Sequence, residues 1–225
     1  MFEYLFSINN TLFTVPYFDY AVSVVELWST ILGLWCVIAF RKDSMWAYPT
    51  GILNSLGFIA IFYQIQLYSD LLLNFYFIGV SVLGWFWWSQ KKSDGTSKLK
   101  IKYMTPNVRG LWLIGLVAGT YVLGANIDVI FNAMAQFVAA ILGTTYAHTP
   151  AAMPFWDAST TVMSLAAMFL LTRKYVEAWI LWVIVDVICI ALYAYRGVMF
   201  LSLEYAIFLA NAAFAVYQWH KLSKE

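Results

Sequence analysis

Asp186 stands in the run "WILWVIVDVICIALY" (179–193), with no other charged residue between Glu177 and Arg196. Trp182 lies four residues before it and Trp179 seven before, so on a helix the three share one face. A carboxylate beside indole rings is a surface for a flat cation, which stacks on the rings and is attracted by their π faces. The other reading of Asp186 is a hydrogen bond to a neighbouring helix, and it leaves the adjacent tryptophans without a role. Gln64, Gln66 and Tyr68 occur together in "YQIQLYSD", and Asn74 and Asn211 fall inside apolar runs. Each amide offers a donor and an acceptor, which suits a carboxamide or sugar hydroxyls. Amides equally bond transmembrane helices to one another, for roughly 0.6 kcal/mol on average, and the residues alone leave both readings open.

Enzymatic chemistry has no such support. A hydrolase or metalloenzyme in a membrane needs two aspartates, a Ser–His couple or paired zinc ligands. His148 and His220 are isolated and peripheral, so no catalytic residue, metal site or cofactor is expected. Cys36 and Cys189 each sit deep in an apolar run without a C-x-x-C partner and read as small packing residues.

These side chains need elements to hold them, and composition names the solvent. The chain is 63% hydrophobic and 11% charged, with mean hydropathy +0.73; a soluble domain carries roughly a quarter charged residues. The expected fold class is therefore all-α integral membrane. An ionised carboxylate near mid-membrane costs at least about 2.5–3.5 kcal/mol, so Asp186 must face the bundle interior or a watery cavity. The net charge of +1 and the solvated loop "KKSDGTSKLKIK" (91–102) give no nucleic-acid surface. The start "MFEYLFSINN" has neither a basic region nor an A-x-A site and does not read as a cleavable signal peptide.

Apolar runs fall at 20–40, 46–64, 70–89, 110–124, 157–171, 177–195 and 199–219, near the length of about 20 residues that crosses a bilayer. The stretch 129–147 is ambiguous, an eighth crossing or a helix lying at the interface; with seven crossings, 125–150 is an outer loop or a bent extension of span four. With seven crossings, 12 of the 13 Lys and Arg residues share one side and only Arg196 lies opposite. The positive-inside rule therefore selects seven transmembrane helices, with the N-terminus outside and the C-terminus cytoplasmic. "GWFWW" (84–88), Trp46 and Trp219 then fall where an interfacial aromatic belt belongs. Glu26 and Glu204 lie in the outer halves of their spans, placed equally for packing or for a vestibule.

The chain also repeats itself. A shift of 132 residues lays "RKD" (41–43) on "RKY" (173–175), Asn54 on Asp186, Tyr63 on Tyr195, Trp85 on Tyr217 and Trp87 on Trp219. "PYFDYA" (16–21) matches "PFWDAS" (154–159) at a shift of 138. Both RK loops fall on one side, so the repeats are parallel, 3+1+3, with span four as linker. The expected division is 1–92 for the first three-helix repeat, 93–150 for the loop, linker helix and outer segment, and 151–225 for the second repeat.

The strings "FYQIQLYSDLLLNFYF", "LTRKYVEAWILWVIVD" and "SLEYAIFLANA", with "PFWDAS" before span five, resemble the PnuC family of vitamin transporters over about residues 15–220. The resemblance implies a SWEET-like fold carrying nicotinamide riboside by facilitated diffusion across the bacterial inner membrane, where a cytoplasmic nicotinamide riboside kinase traps it. It implies substrate contacts at Asn54, Gln64, Tyr68, Asn74, Trp182, Asp186 and Asn211, and a homotrimer in the lipid bilayer. Thiamine, riboflavin and deoxynucleosides are the alternative substrates within this class. At 125–150 the chain departs from the family strings.

Overall fold

The computed structural model describes residues 5–16, 20–65, 68–91, 97–146, 151, 153–195 and 199–224. Among these a two-stranded antiparallel hairpin, β1 (Thr11–Val15) and β2 (Tyr20–Ser23), precedes the helices. The helices are α1 (Val24–Arg41), α2 (Ala47–Gln64), α3 (Tyr68–Ser89), α4 (Pro106–Leu142), α5 (Pro154–Thr172), α6 (Glu177–Tyr195) and α7 (Met199–Leu222). Five of them, α1, α3, α4, α5 and α6, are long and apolar enough to cross a bilayer. Among the described residues the hairpin is the one sheet beside the helices.

Local chemistry sets the helix ends. Ser23 and Glu26 form a capping box at the start of α1, and Tyr20 adds a 2.5 Å hydrogen bond to Glu26. Glu26 is thereby a capping residue, and its carboxylate is spoken for. Pro106 and Pro154 open α4 and α5, where a missing N–H costs nothing. Gly143 ends α4 with φ +66, a conformation glycine adopts without strain.

α4 resolves the ambiguous stretch. It is one helix of 37 residues, about 55 Å at 1.5 Å per residue. Residues 129–142 extend span four and pack Ala135, Val138 and Ala139 against Leu71. Residues 129–142 form neither a separate helix nor a loop.

The helices pack in a circle. α1 lies on α2, α2 on α3, α3 on α5, α5 on α6, α6 on α7, and α7 closes on α1, while α4 sits outside against α5 and α3. The α1–α2 seam is tight. Added Cβ atoms at Gly33 and Gly51 would meet Asn54 Nδ2 and Cys36 Sγ at 2.8 Å, and one at Gly57 would run into Ser29 Oγ.

The main core gathers at the end carrying the basic clusters, and there one arrangement occurs twice. After α1, Asp43 N donates to Phe40 O and Ser44 N to Ala39 O; after α5, Lys174 N donates to Leu171 O and Tyr175 N to Leu170 O. Trp88 of α3 donates Nε1 to Thr172 O, the last carbonyl of α5, at 2.9 Å. Trp219 of α7 donates Nε1 to Arg41 O, the last carbonyl of α1, also at 2.9 Å. Tyr48 meets Trp88 edge-on at 5.1 Å, as Trp179 meets Trp219 at 5.8 Å. The paired positions are 131 residues apart, the separation of Asp43 from Lys174.

The helix-end bonds thus recur at 131, one less than the letter match of 132. Carried along α2 and α6, that offset would set Asp186 against Ser55, and Asn54 against Val185. Trp88 and Trp219 also leave the aromatic belt: they are 5% and 0% exposed. An indole can be buried once its N–H is satisfied, and the free carbonyls at a helix end supply the acceptor. Trp46, 67% exposed, remains where an interfacial belt needs it.

The segment before α4 is tied to the start of α6. Glu177 accepts from Met104 N at 3.1 and 3.2 Å, and from Arg109 Nε and Nη2 at 3.1 and 2.8 Å.

Candidate functional site

α6 presents the candidate face. Trp179 is buried in the main core, and Trp182 is half-buried against it. One turn further, Asp186 is 3% exposed and makes no hydrogen bond or ion pair among the described residues. Beyond it, Tyr193 stacks on Tyr205 of α7, with centroids 5.4 Å apart and planes 20° from parallel. The apolar periodicity of α6 forces this burial, because it leaves Asp186 no polar face to occupy.

Other acids gather toward the hairpin end. The charges of Asp186 and Asp157 both reach the Cys189 thiol, and those of Asp186 and Glu204 reach the Tyr205 hydroxyl. Asp70 lies within electrostatic reach of Asp157. Sequence reasoning passed over Asp70 and Asp157, because an acid in a helix's first turn is ordinary dipole complementation. The signal was the inventory by side, with acids opposite the basic clusters and Arg196 the one base among them.

The amides all engage main chain. Asn54 Nδ2 donates to Ser29 O at 2.8 Å, Asn74 Nδ2 to Asp70 O at 2.9 Å, and Asn211 Nδ2 to Val37 O at 3.3 Å. Among the described residues the carbonyl oxygens of these three stay uncommitted, and that of Asn211 is buried. Gln64 is fully engaged: Nε2 donates to Phe6 O at 2.6 Å and Ala60 O at 2.8 Å, and Oε1 accepts from Ile8 N at 3.1 Å. The segment before the hairpin thus lies over the end of α2. Tyr68 begins α3, but its side chain lies outside the described residues, as do Gln66, His148 and Arg196.

Trp182 and Asp186 thus share a face, and Asn211 sits at the α7–α1 seam. Asn54 sits at the α1–α2 seam, and Gln64 under the N-terminal segment. Open grooves of about 460 Å³ beside Trp35, Trp46 and Lys42, and of about 530 Å³ along Leu113 to Tyr121, lie at the periphery and involve none of these residues. His220 Nδ1 lies 2.9 Å from Tyr103 OH, and no metal-ligating group of three occurs among the described residues.

At the basic end, Lys174 Nζ lies 2.7 and 2.8 Å from the two Asp43 carboxylate oxygens. Burial pushes the Asp43 carboxyl up from its ordinary pKa, and the hydrogen bond and charge of Lys174 pull it part of the way back.

The family profile described as "Nicotinamide mononucleotide transporter" matches residues 23–221 of this chain. "Nicotinamide riboside transporter PnuC" of Escherichia coli (strain K12) is 34% identical over 228 residues, covering 98% of this chain and 95% of that protein. A protein of the same name from Neisseria mucosa is 26% identical, covering 87% and 72%. "Riboflavin/roseoflavin transporter RibM" of Streptomyces davaonensis is 24% identical, covering 90% and 87%. The crystal structure of the vitamin B3 transporter PnuC superposes with a TM-score of 0.62 at 24% identity, covering 89% of this chain and 82% of that one. At that identity the superposition speaks for the fold.

Proposed function

The chain belongs to the nicotinamide mononucleotide transporter family, a family of membrane transporters rather than enzymes, and from that membership we propose that it carries nicotinamide riboside across the bacterial inner membrane. The observation that carries this reading is Asp186, a carboxylate buried without a partner among the described residues, one turn from an indole. A pyridinium ring between Trp182 and Asp186 satisfies both the stacking surface and the charge. The ribose hydroxyls and carboxamide N–H groups need acceptors, and the free carbonyls of Asn54, Asn74 and Asn211 are of that kind. Tyr68 and Gln64 complete the proposed set at the hairpin end, where Gln64 must first release the N-terminal segment. Substrate charge argues for the riboside over its phosphate ester. The seven proposed residues include no cation, and their acidic neighbours repel a phosphate.

The proposed architecture is two parallel three-helix units, 1–92 and 151–225, joined through 93–150 with α4 as linker, and a homotrimer as the assembly. The recurring caps and indole bonds at an offset of 131 support the parallel relation. The basic end is the cytoplasmic end, since the excess of Lys and Arg stays inside. Cysteines replacing Ser97 and Lys224 should label only from the cytoplasm, and one replacing Thr11 only from outside. Labelling of Ser97→Cys and Lys224→Cys from opposite faces would make the repeats inverted and end the parallel reading.

Titration of the purified protein with nicotinamide riboside, thiamine, riboflavin and deoxynucleosides tests the substrate. Saturable binding is expected for the riboside at concentrations where the others give none. Preference for riboflavin, the substrate in the name of the Streptomyces relative, would replace the riboside.

A further inference from the structure

The circle of helices places the α1–α2 loop and the α5–α6 loop at opposite points of its basic end. Asp43 and Lys174 are the same position in the two loops, the residue that leaves each helix in the left-handed conformation, with φ +54 and +58. Glycine or asparagine is the usual occupant there, because other L side chains are strained. The chain keeps an aspartate at one and a lysine at the other, and their side chains meet across the mouth of the circle at 2.7 Å.

The meeting point is enclosed. Lys174 is 4% exposed, and its Nζ also lies 4.3 Å from the centroid of the Trp88 ring. Trp88 lies 6.4 Å from Trp219 and donates to α5, while Trp219 donates to α1. The pair therefore sits where both seams between the three-helix units come together. Among the described residues Arg109 pairs with Glu177 to tie α4 to the start of α6, whereas Asp43–Lys174 links the two units.

We propose that the Asp43–Lys174 bridge is the inner gate of the carrier, a bond across the cytoplasmic mouth that must break each time the bundle opens inward. The proposal rests on the transport reading and adds the device that closes one end. The two units cannot separate at this end while the bridge holds, because the left-handed turns fix both side-chain roots on the short loops. Opposite charges at equivalent positions also make the bond self-limiting. Only one such pair forms on a twofold axis, so one break frees the mouth.

Spin labels on Lys42→Cys and Lys102→Cys measure that opening. Both lysines are exposed on opposite sides of the mouth, and the 102 segment is hydrogen-bonded to the α5–α6 loop. Cys36 and Cys189 are buried and stay unlabelled. The neutral pair Asp43→Asn with Lys174→Gln is expected to raise the long-distance population at least threefold over the unaltered bridge. Asp43→Asn alone should shift it less, in the same direction. The exchanged pair Asp43→Lys with Lys174→Asp should restore the original distribution, and these last two variants carry the test if the neutral pair does not fold. A distribution unchanged by either neutralisation, or an exchanged pair that behaves like the neutral one, overturns the gate. The measurement needs no substrate, so an error in the riboside assignment leaves it standing, and its failure leaves the binding titration standing.

Discussion

Trp182→Ala is expected to weaken nicotinamide riboside binding about 300-fold, and Asp186→Asn about tenfold or less. A ring shielding about 100 Å² of indole from water contributes about 2.5 kcal/mol at 25 cal/mol per Å². Stacking geometry adds about 1 kcal/mol. Alanine loses both. Asparagine at 186 keeps an oxygen acceptor and is far less costly to bury than a carboxylate, which offsets much of the lost attraction for the cation. The equivalent place in α2 holds Ser55, a neutral side chain that is 5% exposed, so a neutral group suits that environment. Trp182 also packs against the main core, so the melting temperature of each variant must be read beside its affinity. Trp182→Phe, which retains a ring, should recover most of the binding. Abolished binding in Asp186→Asn with Trp182→Ala tolerated would overturn this order and make charge the principal contact.

Liposomes holding only this protein should equilibrate riboside in either direction, without regard to a sodium or pH gradient. Sodium-driven carriers usually coordinate the ion with carbonyls freed by broken helices. Here each described helix runs through without interruption. Proton coupling is the sharper rival, because Asp157 and Glu204 share an electrostatic neighbourhood with Asp186. A bound pyridinium favours the ionised carboxylate, which argues against a proton travelling with it. The substrate is itself a cation, so membrane potential must be clamped. A potential of 100 mV, negative inside, favours entry by about 2.3 kcal/mol, roughly 50-fold at equilibrium. At zero potential a kinase sealed inside should turn equilibration into accumulation. Uphill uptake driven by sodium or protons at zero potential, without kinase, would falsify the facilitator reading.

Much of this was legible before any coordinate. Charge and hydropathy place the helices, and Asp186 stands out because an apolar run has no other use for it. Matching letters differ from matching backbone: "RKD" and "RKY" align best at 132, but the helix-end hydrogen bonds align at 131. α4 was hidden because Asn126, Asn132 and Gln136 interrupt its apolar pattern. In the helix, Asn126 Nδ2 bonds Val122 O and Gln136 Nε2 bonds Asn132 Oδ1, so each amide is satisfied one turn away and the helix continues. Asp43 and Lys174 are ordinary loop charges until the chain closes on itself, since contact between residues 131 apart leaves no local mark.

The glycine-lined seam between α1 and α2 constrains how any such machine can travel. At Gly33, Gly51 and Gly57 the facing helix packs too closely to admit a side chain on the glycine. Close-packed interfaces hold one arrangement or jump to another; they do not slide by degrees. Such a pair favours movement as one unit, with displacement taken up at the joints between the two three-helix groups, α3–α5 and α7–α1. Each of those joints is pinned at one end by an indole hanging from a neighbour's last carbonyl. Any working cycle then meets two tryptophan anchors at its joints and three glycines in the seam beside them.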